Sequence, residues 1–333
     1  TTPEIIAFQM YKFGTGMLMN IYIGMESMIG LFAFFGNVLV IWAVKLNPAL
    51  QDTTFYFIVS LALADLAVGI LVMPLAIILH LEITCHFHLC LLMCCLIIIM
   101  TNASILSLLA IAVDRYMRIK VPVRYRTLIT KQRIYVCILF SWSLSILAAL
   151  VPMFGWNNRS NLEEERNYLE CKFSSVMSLD FLVYFCFFGW VVVPLIVMVA
   201  LYTELLYLVR KQITLNKNNF QARQAFYNKE YKTARSLAFV VGLFALCWLP
   251  ISIINCINYF HPSVLQSKAF QPALLLSIVL SHLNSAMNPF VYAFKIKKFK
   301  RTFMCIIKQR ILRRTEIIDN CSIEHTLENA TKA

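Results

Sequence analysis

Seven long apolar runs constrain the fold of this chain more than any other feature. They can be read at about 18–44, 54–79, 89–119, 133–153, 180–208, 233–260 and 270–294. Each is long enough to cross a bilayer as a helix, which takes about 20 residues. Of the 333 residues, 60% are hydrophobic and only 14% are charged, whereas soluble domains carry about 25% charged residues. We therefore predict an all-α fold, a seven-transmembrane helix bundle.

The rest of the chain divides around this bundle. We expect an extracellular amino-terminal segment at 1–17, the bundle at 18–294, a short amphipathic eighth helix on the inner membrane face at 295–308 and a cytoplasmic tail at 309–333. In the amphipathic segment, Phe299, Phe303 and Ile306 recur at spacings of three and four, which predicts a helix lying on a membrane surface. Cys305 in the same segment is a candidate for palmitoylation, although an unmodified cysteine is the commoner case.

The basic residues predict the orientation. Five of the thirty Lys and Arg lie on the side of the amino terminus: Lys12, Arg159, Arg166, Lys172 and Lys268. The other 25 flank the opposite loops and the tail. Short loops rich in Lys and Arg stay in the cytoplasm, so we expect a multi-pass plasma-membrane protein with its amino terminus outside. The net charge of +13 then reflects topology and contact with anionic membrane lipid, and we expect no nucleic-acid partner.

Three cysteines are expected at the oxidising outer side. We expect Cys90, at the outer start of the third run, to form a disulfide bond with Cys171 in the second outer loop, which leaves Cys85 unpaired. In the same loop, Asn158-Arg159-Ser160 forms a sequon, so we expect a glycan on Asn158.

A few ionisable residues fall inside the apolar runs, where charge is a functional hypothesis by default. They are Glu26, Asp65, Asp114, Arg115, Glu204, Glu230 and His282. Asp65 shares its depth with Ser104, Asn284 and Asn288, and their oxygens suit a hard cation such as sodium. We predict an allosteric sodium site with Asp65 as its metal ligand, and we add Trp248 to it. A polar cluster that only joins helices is the alternative.

Two prolines sit where a helix is expected to bend. Cys247-Trp248-Leu249-Pro250 places an indole beside one hinge, and Asn288-Pro289-Phe290-Val291-Tyr292 places a second near the inner face. Two hinged helices around a polar core form a bistable element that a ligand can bias. Asp114-Arg115-Tyr116 ends the third run on the same side, as a switch or simply as a solvated helix end.

These motifs, in this order on these runs, resemble a class A (rhodopsin-like) G-protein-coupled receptor. The matching residues are Asn37, Asp65, Asp114-Arg115-Tyr116, Trp142, Pro194, Tyr202, Cys247 to Pro250 and Asn288 to Tyr292. The resemblance implies that Arg115 pairs with Asp114 and Glu230 in the silent state and then turns toward the G protein, with Tyr116, Tyr202 and Tyr292 in the same switch. It also implies arrestin and receptor kinases as partners. The sequence contains no HExxH, GxSxG or nucleotide-binding loop, so we expect a protein that is not an enzyme.

The ligand is expected to be small and neutral. The third run offers Ile97 where a receptor for amines needs a carboxylate, and the seventh offers His282 where a retinal protein needs Lys. Further segments resemble the adenosine receptors, and among them an inhibitory subtype. These are Lys45 to Pro48, Thr53 to Ser60, Met153 to Asn157, Ser252 to Cys256 and Tyr292 to Phe299.

That resemblance implies a purine site. Asn255 would bond the adenine edge, since a side-chain amide has both donors and an acceptor, and Phe173 would stack on the purine. Thr101, Ser281 and His282 would hold the ribose, with Glu26 orienting His282 and Trp248 lying beneath. The apolar residues of the slot would be Ile98, Leu182, Ile251, Leu274 and Ile278.

The resemblance predicts a plasma-membrane receptor for extracellular adenosine. It would activate an inhibitory heterotrimeric G protein and lower adenylyl cyclase activity. A class A receptor for another small neutral or lipid ligand is the alternative. Asn102, Cys186 and Cys85 depart from the family pattern.

Overall fold

A computed structural model describes residues 2–47, 53–159, 167–215, 221–267 and 269–307. Its main helices are α1 (Thr2–Leu46), α2 (Thr53–His80), α3 (Phe87–Lys120), α4 (Lys131–Ala149), α5 (Phe181–Leu215), α6 (Gln221–Phe260), α7 (Phe270–Lys295) and α8 (Lys297–Ile306). Shorter helical segments span Val151–Phe154, Pro122–Leu128, Phe173–Val176 and Pro262–Gln266. Within these described ranges, seven helices, α1 to α7, are long and apolar enough to cross a membrane. The predicted all-α bundle of seven spans is confirmed.

The helices extend beyond several of the predicted apolar runs. Helix α1 begins at Thr2, helix α6 begins at Gln221, and helix α5 continues to Leu215. Hydropathy marks the part of a helix that suits a bilayer, whereas backbone hydrogen bonds continue into polar sequence. The opposite error occurs in α4, which ends at Ala149 although the apolar run continues to residue 153. Pro152 follows within a short 3₁₀ turn, since proline cannot continue the α-helical ladder.

Six helices form a closed ring. Helix α1 packs against α2 and α7, α3 packs against α2 and α5, and α6 packs between α5 and α7. Helix α4 lies outside the ring against α3 and α2. The Trp142 indole on α4 donates to Ser60 Oγ on α2 at 3.0 Å. Ser60 Oγ in turn lies 3.2 Å from Ser107 Oγ on α3. These hydroxyls join three helices through neutral hydrogen bonds.

Glycine permits two close approaches of α1 to its neighbours. A Cβ at Gly36 would lie 2.9 Å from Pro289 Cγ on α7, and one at Gly69 would lie 2.8 Å from the Gly30 carbonyl oxygen. Both separations are shorter than normal contacts, so a larger side chain would push α1 away. Small residues serve this purpose between membrane helices.

Two π-helical stretches end immediately before prolines. Val68–Val72 leads into Met73-Pro74, where the Met73 N–H bonds Val68 O. Phe181–Val192 leads into Val193-Pro194, where the Val193 N–H bonds Phe188 O. The proline ring clashes with the carbonyl that an α-helix would place beneath it, and the wider turn relieves that clash. The helix is therefore widened on the amino-terminal side of each of these two prolines.

A two-stranded antiparallel ribbon lies at the end of the bundle that carries the disulfide. Strand β1 (Thr84–His86) pairs with β2 (Tyr168–Glu170), with Cys85 opposite Leu169. The disulfide between Cys90 and Cys171 confirms the predicted pair and ties this ribbon to α3. Lys172 follows directly, with its Nζ 2.9 Å from Glu82 Oε2 and 3.2 Å from Glu170 Oε2. Its hydrogen bond to Glu82 raises the pKa of Lys172, which keeps the ammonium charged.

Helix α8 turns its apolar face to the bundle. Phe299, Phe303 and Ile306 are buried, and the Phe299 ring lies 5.6 Å from that of Phe55 on α2 and 5.5 Å from that of Tyr292 on α7. The spacing of these residues predicted an apolar face, and in the structure this face packs against α2 and α7. Lys300 and Arg301 are exposed on the other side.

Candidate functional site

The predicted site residues fall into three groups along the bundle axis. The first lies near the ribbon, below the disulfide. Ile98 on α3, Phe173 and Leu182 on α5 pack into one apolar cluster there. Ile278 on α7 packs into a neighbouring cluster that includes Ile97 from α3. The fold thus brings the apolar candidates from the loop that carries Cys171 and from α3, α5 and α7 to the same end of the molecule.

Buried polar residues border these clusters. Both carboxylate oxygens of Glu26 on α1 lie 2.9 Å from His282 Nδ1 on α7. The side chains are 0% and 10% exposed, respectively. With Nδ1 held by the carboxylate, Nε2 is the His282 nitrogen left to meet a ligand. The predicted contact between these two residues is therefore present.

The hydroxyl groups predicted to contact the ligand each donate a hydrogen bond to a backbone carbonyl of their own helix. Thr101 Oγ1 donates to Ile97 O at 3.1 Å, and Ser281 Oγ donates to Ile278 O at 2.7 Å. Each oxygen keeps its lone pairs, so each hydroxyl is presented chiefly as an acceptor. Asn255, Ile251, Leu274 and Trp248 are half-buried on α6 and α7, and the Trp248 ring lies 6.3 Å from that of Phe244.

Asn102 is a further polar group on α3. Its side chain is 3% exposed, and its Nδ2 finds no hydrogen-bond partner within the described part of the chain. Cys186 on α5 packs in the cluster of Phe173.

The second group surrounds Asp65 at the middle of the bundle. Its carboxylate is fully buried; it accepts from Ser104 Oγ at 3.2 Å and from Asn288 Nδ2 at 2.7 Å. Among the described residues, no ion pair involves Asp65. A buried carboxylate surrounded by neutral donors suits a small cation, and the hydroxyl oxygen of Ser104 fits such a site. Asn284, also predicted for the site, is buried on α7. Trp248 offers only an N–H donor, so its indole supplies no metal ligand.

The third group lies at the opposite end from the disulfide. Arg115 Nη1 on α3 lies 3.2 Å from Glu230 Oε2 on α6, and Arg118 Nε lies 3.6 Å from Glu230 Oε1. Arg115 is 5% exposed, and its Nε lacks an acceptor within the described residues. Tyr202 and Tyr292 are buried, and the Tyr292 hydroxyl likewise lacks a partner there. The Arg115–Glu230 pair thus ties α3 to α6. Arg115 Nε and the Tyr292 hydroxyl remain without hydrogen-bond partners among the described residues.

The partners of Asp114 differ from the expected one. Tyr125, in the short helix Pro122–Leu128, donates its hydroxyl hydrogen to Asp114 Oδ1 at 2.8 Å, and the Thr54 hydroxyl on α2 donates to Oδ2. The described contacts of Asp114 are thus with hydroxyl groups, whereas Arg115 turns to Glu230. Sequence reasoning missed Tyr125 and Thr54, because neither shares a spacing or motif with Asp114.

Three further residues named from the sequence lie outside these groups. Asn158 Nδ2 donates to Met177 O at 2.8 Å and to Ser174 O at 3.1 Å. A glycan on that nitrogen would replace one of these bonds, so glycosylation stays a prediction. Lys120 Nζ pairs with Glu204 Oε1 at 2.6 Å on an exposed surface between α3 and α5, so Glu204 is not a bare charge in the membrane. Cys305 is half-buried on α8, and its palmitoylation stays a prediction.

Comparison with known proteins fits this geometry. Residues 36–292 match the family "7 transmembrane receptor (rhodopsin family)". The chain belongs to this family of seven-transmembrane receptors, so it is a multi-pass membrane receptor and not an enzyme. It is 54% identical over 308 residues to "Adenosine receptor A3" of Bos taurus, covering 92% of this chain and 96% of that protein. It is 53% identical over 323 residues to the protein of the same name from Canis lupus familiaris, covering 96% and 99%.

Proposed function

We propose that this chain is a plasma-membrane receptor for extracellular adenosine that activates an inhibitory heterotrimeric G protein and so lowers adenylyl cyclase activity. The observation that carries the proposal is the similarity to receptors named for adenosine across at least 92% of the chain. The site residues implied by that similarity are present, and several lie together in the fold. The amino terminus would face outward.

The outer group supplies complementary chemistry for a nucleoside. Phe173 would stack on the purine, and Asn255 would donate to and accept from the adenine edge. Because Glu26 holds His282 Nδ1 at 2.9 Å, Nε2 would accept a hydrogen bond from a ribose hydroxyl when Nδ1 carries the proton. Ser281 and Thr101 would also accept from ribose hydroxyls, since each already donates to its own helix.

The middle group would hold sodium in the silent state. Asp65 would neutralise the ion, and Ser104 and Asn284 would complete an oxygen shell. The ion would occupy space between α2, α3 and α7 and favour that arrangement of helices. Sodium would therefore oppose an agonist that prefers another arrangement, because a ligand shifts an equilibrium only by its differential affinity for the two states.

The inner group would report ligand binding. The Arg115–Glu230 pair at 3.2 Å ties α3 to α6 and would hold the inner end closed. Agonist contacts near Trp248 would favour movement about Pro250, separate this pair and expose Arg115 to the G protein. The Asp114–Tyr125 bond would keep the short inner helix in place. Arrestin, receptor kinases and membrane lipid are further proposed partners.

The proposal is tested by displacement of a labelled adenosine analogue from membranes that contain the receptor. We expect adenosine to compete and, in a reconstituted assay, to accelerate guanine-nucleotide exchange on an inhibitory G protein. Failure of nucleosides to compete, with displacement by another neutral or lipid ligand, would favour the alternative receptor class. If adenosine competes for binding but does not accelerate guanine-nucleotide exchange, the proposed G-protein coupling is rejected and adenosine is retained as the ligand.

A further inference from the structure

Three cysteine sulfurs meet where the outer ribbon joins α3. The Sγ atoms of Cys85, Cys90 and Cys171 all lie within 4.8 Å of one another. Cys90 and Cys171 form the disulfide and are fully buried, whereas Cys85 is a free, half-buried thiol. Two of the three sulfurs are already bonded to each other, so the cluster does not offer the three thiolates of a metal site.

The pairing of the two strands explains this arrangement. Cys85 lies opposite Leu169, and Cys171 follows two residues later. The Cys171 N–H donates to Ile83 O at 3.1 Å, which continues the ribbon past β2. Side chains two residues apart in a strand share a face, and diagonal neighbours across an antiparallel pair are within reach of each other. Cys85 and Cys171 therefore lie on one face of the ribbon.

We propose that Cys85 is an exchange thiol that forms an alternative disulfide with Cys171. The Cys85 thiolate attacks Cys171 Sγ, the Cys85–Cys171 bond forms, and the Cys90–Cys171 bond breaks. Cys90 leaves as a thiolate and takes up the proton that Cys85 gave up. The reaction exchanges one disulfide and one thiol for another such pair, so it needs no external oxidant or reductant.

Attack on Cys171 keeps the outer loop attached. In the product, the loop is fastened to β1 of the ribbon, and the first turn of α3 loses its covalent tie. Attack on Cys90 would instead join two residues of the same segment and release the loop. Phe173 follows Cys171 by two residues and packs on the cluster below the disulfide. The exchange therefore changes the covalent partner of the residue that attaches this part of the loop. This inference does not depend on which ligand binds.

Disulfide mapping of the full-length receptor in three variants tests the proposal. The variants are Cys90→Ala, Cys85→Ala and the double substitution of both residues. After alkylation and digestion without reduction, we expect a Cys85–Cys171 peptide in Cys90→Ala and the original Cys90–Cys171 peptide in Cys85→Ala. The double variant leaves Cys171 alone, so its surface abundance should fall several-fold below that of Cys90→Ala.

A free, alkylated Cys171 in the Cys90→Ala variant would overturn the proposal, whatever the surface abundance. Mapping is done on total detergent-solubilised protein, so poor trafficking does not prevent the measurement. In the unsubstituted receptor, incubation at rising pH before acid quenching should yield a growing minor fraction with alkylated Cys90, because the thiolate is the attacking species. Absence of alkylated Cys90 at every pH would reject exchange in the native protein.

Discussion

Glu26 and His282 meet across α1 and α7, with both carboxylate oxygens 2.9 Å from the imidazole Nδ1. They are 256 positions apart in sequence, and both are buried. The pair fixes which ring nitrogen faces the predicted ligand site. It also joins the two helices that close the ring of the bundle. The same contact would therefore connect helix packing to the proposed recognition of the ligand.

Glu26→Gln tests this link. We expect ribose-bearing ligands to lose about tenfold or more in affinity, because a hydrogen bond to a charged group contributes about 1.5–3 kcal/mol. A ribose-free adenine ligand should lose much less, since His282 would not contact it. Competition binding with both ligand types gives the comparison. Equal losses for the two would assign Glu26 to packing alone.

Asn255→Ala tests the purine assignment. We expect ligand affinity to fall roughly 30- to 150-fold, since two hydrogen bonds of about 1–1.5 kcal/mol each are removed within a half-buried site. Ser236 lies on the same helix, 19 positions before Asn255, where its hydroxyl donates to Lys232 O at 2.9 Å, and it provides the control. Ser236→Ala should bind labelled ligand almost normally. Full affinity in Asn255→Ala would refute the assignment.

Asp65→Asn tests the sodium proposal. An amide keeps the size of the side chain and removes the charge, so agonist affinity should no longer depend on sodium. Agonist competition is measured in sodium chloride and in choline chloride at equal ionic strength. Persistent sensitivity to sodium in the variant would exclude Asp65 as the ion's ligand, and insensitivity of the unsubstituted receptor would exclude the site.

Glu230→Gln tests the inner switch. The substitution weakens contacts to Arg115 and Arg118 together, so basal nucleotide exchange should rise by roughly tenfold if about 1.4 kcal/mol is lost from the silent state. Glu204→Gln is the matched control. It breaks the exposed pair with Lys120, and exposed pairs contribute little. An equal rise in both variants would mean that general loosening of the inner end is responsible.

Tyr125→Phe tests the tie between Asp114 and the short inner helix. Loss of the hydroxyl removes its hydrogen bonds to the Asp114 carboxylate and to Thr53 Oγ1, which should lower the stability of detergent-solubilised receptor by about 2–4 kcal/mol. Burial, reinforced by the nearby Asp114 carboxylate, raises the pKa of the Tyr125 phenol. The phenol thus stays protonated and donating at neutral and mildly alkaline pH. The loss in thermal melting temperature should therefore be the same at each pH in that range, and a pH-dependent loss would contradict this account.

The motif residues show how far sequence reasoning reached. Asp65, Ser104 and Asn288 were placed at one depth by counting along helices, and the structure joins them by hydrogen bonds. The Cys90–Cys171 disulfide and the Glu26–His282 contact were also expected and are present. These succeeded because each motif has a fixed place on its helix, and the family resemblance supplied the partner across the bundle.

The sequence by itself determined seven apolar helices, because a bilayer demands about 20 apolar residues and internal backbone bonding for each span. Tertiary structure alone decided that Asp114 bonds Tyr125 and Thr54, that the apolar face of α8 packs on Phe55, and that three sulfurs meet where the β1–β2 ribbon joins α3. Hydropathy and helical spacing describe one element at a time. A hydroxyl hydrogen can bond any of several acceptors, and an aromatic ring can pack against any of several neighbours. Only the packed arrangement of helices selects one.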